Sequence, residues 1–161
     1  MVEPIPPGLE GRIVPYLMLD GAAEAIDFYR AAFDAEERYR MPMPDGKVGH
    51  AEIVVGGAVV YLADAPDDMP GDAANPRKLG GTTVLLHRYV ADVDAAVAQA
   101  EAAGASVLRP PEDQFYGDRA AVVVDPWGHF WSLHARVREV SPEDMAAAME
   151  HTDGGDGTDG A

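Results

Sequence analysis

The sequence predicts an α+β fold made of two tandem βαβββ modules. Two observations predict it. Residues 13–34 (IVPYLMLDGAAEAIDFYRAAFD) and 83–104 (TVLLHRYVADVDAAVAQAEAAG) share one pattern: a short apolar strand, a turn with an aspartate, and a helical stretch of one length. Each is followed by strand-like segments separated by turn residues. Self-similarity at a fixed period marks a repeated supersecondary unit, and two such units, paired, would enclose a cleft.

Each element has its own signal. Residues 1–11 are rich in Pro and Gly and read as a flexible arm. Residues 13–19 form a first strand, and the helix after it buries Ile26, Tyr29 and Phe33, spaced i, i+3, i+7. Glu36–Met41 reads as a strand, and Pro42, Pro44, Asp45 and Gly46 as a turn. Val48–Val55 and Ala58–Ala63 make a hairpin about Gly56-Gly57, a two-residue turn tolerant of positive φ. Module one thus spans 12–66, a linker 67–81, and module two 82–136. The second helix has Asp92 as its N-cap, Gly104 past its end, and Val93, Val97 and Ala100 as its apolar stripe. Ser106–Leu108, Ala120–Val124 and Phe130–Ala135 are three further strands. A C-terminal helix occupies 137–150, with Ser141 as cap and Pro142 in the first turn. Residues 151–161 are an acidic, disordered tail by composition.

Composition narrows the function. The chain has 161 residues, 47% of them hydrophobic, enough for one core shared by two small halves. No apolar run approaches the ~20 residues needed to cross a bilayer, and no signal peptide is visible. There is no cysteine, which removes disulfides, thiolate nucleophiles and Cys-ligated metals. The cytoplasm is the expected compartment. With 12 basic and 28 acidic residues the formal charge is −16, which argues against nucleic-acid partners. The same charge either steers cationic ligands inward or simply keeps the chain soluble.

Specific strings then point to a family. They are Pro15-Tyr16-Leu17 ahead of Ala25-Ile26-Asp27-Phe28-Tyr29; His50-Ala51-Glu52-Ile53; Asp113-Gln114-Phe115-Tyr116-Gly117-Asp118-Arg119; and Asp125-Pro126-Trp127-Gly128-His129-Phe130-Trp131-Ser132-Leu133. With the duplicated strand–helix pattern, residues 12–136 resemble the vicinal oxygen chelate superfamily of glyoxalases, bleomycin-resistance proteins and dioxygenases, and its PhnB-like members in particular. The resemblance implies curved sheets around a central cleft, a homodimer, and a small-molecule ligand.

In metal-dependent members of that superfamily, four strands each supply a His, Glu or Gln ligand. The equivalent positions here carry Val14, Tyr61, Leu85 and Ser132. None is a usual ligand, so the expectation is a cleft without the usual metal, and without another cofactor. The alternative is one divalent ion held by His87, His134 and Glu52, since two imidazoles and a carboxylate make a facial triad. That reading would make the protein a lyase, isomerase or dioxygenase using non-standard ligands. A third reading is a filled cleft and a role in protein interaction only.

The remaining candidates are weighed residue by residue. Strand period two puts Leu85, His87 and Tyr89 on one face, and Phe130, Ser132 and His134 on another. Ser132 and His134 lie roughly 6.5–7 Å apart along a strand, which argues against direct contact, and no GxSxG elbow is present. Ser132 therefore reads as a small polar floor. His129 reads as a turn residue bonded to nearby backbone rather than as a base. His50 either caps the cleft or pairs with Glu52. Arg119 either clamps a ligand carboxylate or joins Asp118 or Asp125 in a salt bridge. Tyr16, Tyr61, Tyr89, Phe115, Tyr116, Phe130 and Trp127 fall on the expected cleft faces or adjoining loops, where they would either stack on a planar or cationic ligand or fill the space.

Overall fold

The computed structural model of the chain describes residues 4–66 and 75–152. Its elements are β1 (Tyr16–Leu19), α1 (Ala22–Phe33), β2 (Glu36–Pro42), β3 (Val48–Val55), β4 (Ala58–Asp64), α2 (Pro76–Leu79), β5 (Leu85–Tyr89), α3 (Val93–Ala103), β6 (Ser106–Asp113), β7 (Asp118–Val124), β8 (Phe130–Arg136) and α4 (Pro142–Thr152). They form two four-stranded sheets, β1-β4-β3-β2 and β5-β8-β7-β6. In each, the first strand runs parallel to the last and the other pairs are antiparallel. The fold is α+β, two tandem βαβββ modules. Among the described residues no helix is long and apolar enough to cross a membrane.

Alternation along the strands decides what each sheet buries. Leu17, Leu19, Ala51, Ile53, Val55, Val60 and Leu62 turn one face of the first sheet into the core. Ala121, Val123, Trp131 and Leu133 do the same for the second. α1 covers the first sheet and α3 the second, and the two helices pack on each other. The stripe of Ile26, Tyr29 and Phe33 is buried, as are Val93, Val97 and Ala100. The Phe33 and Trp131 rings meet at 4.4 Å, so α1 also touches the second sheet.

A carboxylate locks this seam. Asp125, in the turn before β8, is 4% exposed. It accepts from Tyr29 Oη at 2.7 Å, Trp131 Nε1 at 3.1 Å, and the backbone N–H groups of Trp127 and His129 at 3.0 and 2.9 Å. Four donors offset the cost of burying the charge. Burial, followed by the adjacent Asp125, pushes the Tyr29 hydroxyl well above its usual range. Trp127 donates Nε1 to Asp20 O at 2.7 Å and packs on Phe28 and Tyr29.

The two helices are capped differently. Asp92 accepts from Ala95 N at 3.0 Å, the expected local cap of α3. α1 begins at Gly21, which has no capping side chain. Asp64, at the end of β4, supplies it instead, accepting from Gly21 N at 2.7 Å and Ala22 N at 2.9 Å with one oxygen and from Val48 N at 2.7 Å with the other.

Several boundaries differ from the sequence reading. β1 starts at Tyr16 rather than 13, because Pro15 has no N–H to continue the ladder, although its carbonyl still accepts from Tyr61 N at 2.9 Å. β5 starts at Leu85, after a turn in which Thr82 Oγ1 bonds both polar groups of the Val84 backbone. β6 continues past Leu108 through Pro110 and Pro111 to Asp113. The pairing with β7 shifts register between Arg109 and Glu112, so neither proline has to donate. The tract read as a linker contains α2, capped by buried Asn75, which accepts from Lys78 N and donates to Asp20. Its residues 67–74, and 153–161 of the tail, lie outside the described residues. Ser141 caps α4 through Asp144 N at 3.1 Å.

Candidate functional site

The faces turned away from the helices carry the chemistry. On the second sheet, β5 presents Leu85, His87 and Tyr89, β8 presents Phe130, Ser132 and His134, and β7 presents Asp118, Ala120 and Val122. Leu85, His87, Ser132 and His134 line a cavity of about 460 Å³ with Tyr116 and Arg109. Phe130 lines a smaller adjoining cavity of about 220 Å³.

One polar chain runs through this face. Ser132 Oγ lies 2.8 Å from His134 Nε2, and His134 Nδ1 lies 3.3 Å from Asp118 Oδ2. All three residues are buried. Tyr89 donates its hydroxyl to the same Asp118 oxygen at 3.0 Å, and Arg136 Nε lies 3.9 Å from the other. Because a carboxylate only accepts, Nδ1 is the donor to Asp118, and in the neutral ring Nε2 is left to accept from the serine hydroxyl. This corrects the expectation that Ser132 and His134 are too far apart. The backbone spacing holds, but the two side chains lean toward each other along the same face. Register finds the third member, since Ala120 sits opposite His134 and Asp118 opposite Arg136.

Aromatic rings close round that chain. His87 packs at a tilt against His134 with centroids 4.1 Å apart, Tyr89 approaches both, and Tyr116 lies within 23° of parallel to His134 at 6.4 Å. Burial, then the neighbouring His134, lowers the His87 pKa. The Asp118 hydrogen bond raises that of Tyr89, and burial raises that of Tyr116. Phe115 is exposed and meets Tyr116 edge to face.

The first sheet's open face is a separate cluster. Tyr16 Oη lies 3.0 Å from His50 Nδ1, and the rings of Tyr16, His50 and Tyr61 contact one another. His50 Nε2 lies 3.7 Å from Glu52, so the pairing reading of His50 holds. Val14 sits apart, in a cavity with Leu9, Arg12 and Ala58. Tyr16 also lines a cavity of about 590 Å³ between β1 and the approach to β5, with Met18, Leu79, Leu86 and His129. The sequence-predicted residues therefore do not form one ring. Leu85, His87, Ser132, His134 and Tyr116 share a cavity, while Val14, Tyr16 and Tyr61 belong to the other module.

Two expected roles change, and one holds. Trp127 belongs to the core seam and not to a cleft face. Arg119 pairs with neither Asp118 nor Asp125. It turns to the helix side of β7 and bonds Asp94 at 2.6 and 2.8 Å and Asp113 at 2.9 Å, which raises its pKa. Strand alternation explains this, because Arg119 must face opposite to Asp118. His129 is a buried turn residue, as expected, bonded to the Met18 backbone, with its pKa lowered by burial.

The donor set at these positions is poor for a metal. Val14, Tyr61, Leu85 and Ser132 offer no imidazole or carboxylate. Glu52 lies on the other sheet from His87 and His134, and both His134 nitrogens already have partners. Among the described residues, no three His, Asp or Glu side chains gather as a candidate metal site. The residues do not fit the superfamily's ion.

The superfamily itself is shown by comparison. The Glyoxalase/Bleomycin resistance protein/Dioxygenase superfamily profile matches residues 13–133. The chain belongs to this superfamily. An uncharacterized protein of Mycobacterium bovis is 49% identical over 142 residues, 88% of this chain and 93% of that one. Among solved structures, TioX from Micromonospora sp. ML1 is similar at TM-score 0.63 and 25% identity, over 79% of this chain and 99% of that one. The fosfomycin resistance protein FosX from Listeria monocytogenes, solved with Mn(II) and sulfate, shares the fold at TM-score 0.58 and 17% identity, over 86% of this chain and 97% of that one. Superfamily membership thus leaves room for different chemistries on one scaffold.

Sequence reasoning missed Asp118 and Arg109 as site residues. The signal for Asp118 was available: β7 alternation puts Asp118, Ala120 and Val122 on one face. Arg109 was hidden by the register shift in β6.

Proposed function

We propose that this protein binds a planar aromatic or cationic organic molecule on the open face of its second sheet, in the manner of the bleomycin-resistance branch of its superfamily and without the superfamily's metal. One observation carries the reading: His87, Tyr89, Tyr116 and His134 present ring faces and edges around a buried carboxylate, Asp118, beside a cavity of about 460 Å³. Rings supply stacking and cation–π attraction, each contact worth about 0.5–2 kcal/mol. The net negative charge adds long-range attraction for a cation.

The binding face is only partly covered. Tyr89 is 59% exposed and Leu85 49%. A homodimer is the proposed cover, with Tyr16 and Tyr61 as a second ring set available to it. The strings at 15–29 and 113–133 support a PhnB-like position in the superfamily, and the lack of cysteine supports a cytoplasmic one.

Thioflavin T, a planar cationic dye, is the test ligand. Fluorescence titration should give saturable binding that weakens about tenfold in Tyr116→Ala, equivalent to ~1.4 kcal/mol. Binding unchanged in both Tyr116→Ala and His87→Ala refutes this site. Elemental analysis should find no stoichiometric transition metal; a bound ion released by His87→Ala refutes the metal-free reading. Light scattering at the monomer mass refutes the dimer.

A further inference from the structure

We infer that Ser132, His134 and Asp118 form a nucleophile–base–orienter chain able to cleave an activated aryl ester. The inference deepens the binding reading, on whose cavity it rests. Nucleophilic serine chemistry needs a hydroxyl within hydrogen-bond reach of a base and a third group that fixes the base. Here Oγ to Nε2 is 2.8 Å and Nδ1 to carboxylate is 3.3 Å. The order along the polypeptide is Asp, Ser, His within 17 residues of sequence, compressed because two antiparallel strands bring all three to one face.

Each member is held. Asp118 Oδ2 is shared by Tyr89 and His134, and Arg136 lies near Oδ1, so the carboxylate is held against Nδ1. The His87 ring lies 4.1 Å from His134 between centroids and restrains its tilt. Ser132 and His134 both line the cavity, so a ligand seated there would meet the hydroxyl. Arg109 lines the same cavity and supplies positive charge for an oxyanion. The surrounding rings favour an aromatic leaving group.

The step balances without any further reagent than water. Ser132 Oγ bonds the ester carbonyl carbon while His134 Nε2 takes its proton. The carbon–aryloxy bond breaks, and the phenol leaves with the proton from His134. Water, deprotonated by the same nitrogen, then releases the acid and restores the serine. With a dialkyl fluorophosphate the reaction stops after the first half: the Oγ–P bond forms, the P–F bond breaks, and fluoride leaves with the proton.

The full-length protein is incubated with diisopropyl fluorophosphate and analysed by intact mass and peptide mapping, beside p-nitrophenyl acetate hydrolysis. The expected result is one phosphoryl adduct on Ser132, absent in Ser132→Ala, and ester turnover lowered at least 100-fold in Ser132→Ala and His134→Ala. Circular dichroism melts confirm that the variants fold. Asp118 is a positioning residue: Asp118→Asn should lower kcat by about tenfold or more while KM changes less than about twofold, a split that a merely structural role would not produce. A folded wild-type chain that binds thioflavin T but takes no adduct, takes it elsewhere, or loses no turnover in Ser132→Ala overturns the inference and leaves the binding reading standing. An adduct on Ser132 without dye binding supports the nucleophile and overturns the binding reading.

Discussion

The two sheets share one topology and one core pattern, yet their outward faces differ. On the first, Tyr16, His50, Glu52 and Tyr61 form a ring cluster with one short hydrogen bond. On the second, a serine, a histidine and a carboxylate are buried in series. The difference teaches that the inward-facing residues set topology and the alternate residues are free to diverge. The carboxylates make the same point. Asp125 directs its hydrogen bonds to the seam, whereas Asp118 directs its own to Tyr89 and to His134, which lines a cavity.

Substitutions can break this contrast, beginning with the carboxylates. Asp125→Ala strands Tyr29, Trp131 and two backbone N–H groups, and should cost about 3–5 kcal/mol. At 2–4 °C per kcal/mol, the melting temperature should fall by roughly 6–20 °C. Asp118→Asn should leave the melt much less changed and alter the cavity instead. An equal loss in both would erase the distinction. Asp64→Ala removes the acceptor for three backbone N–H groups and should cost ~2–3 kcal/mol, against ~1 kcal/mol for Asp92→Ala at the local cap; denaturant melts of the two variants rank them. Next comes ligand binding: Tyr116→Ala should weaken thioflavin T about tenfold, and Tyr61→Ala less than threefold unless a second copy brings that ring to the site.

The smallest effect concerns pH. Burial lowers the folded-state pKa of His129 below its ordinary value of about 6.5. The unfolded chain therefore binds the proton first as pH falls. Stability from this group is complete above about pH 6.5 and declines below it, down to the folded-state pKa. Melting temperatures from pH 7.5 to 5.0 should fall, and His129→Gln should flatten that slope. A slope unchanged by the substitution assigns it to other groups.

Much of this architecture was legible in the residues. The stripe of Ile26, Tyr29 and Phe33, the Asp92 cap and the Gly56-Gly57 hairpin are local signals, set within a few residues. Asp64 as cap for α1 was not legible, because its three partners lie 16 to 43 positions away. Strand alternation correctly grouped His87, His134 and Ser132, but not their hydrogen bonds, which depend on rotamers. Nor did it show that the two open faces carry separate clusters, since that depends on how the modules meet. Pro110 and Pro111 hid the length of β6, as proline ordinarily signals the end of a strand.

The Tyr29–Asp125 bond has a consequence for autonomy. A hydroxyl from the first repeat satisfies a charge folded into the second, and Phe33 fills space against Trp131. Neither repeat, cut away at the intervening tract, would keep a complete interior: one would lose its acceptor and the other a donor and its neighbouring aromatic wall. The two halves should therefore melt together, and a single calorimetric transition is the expected outcome.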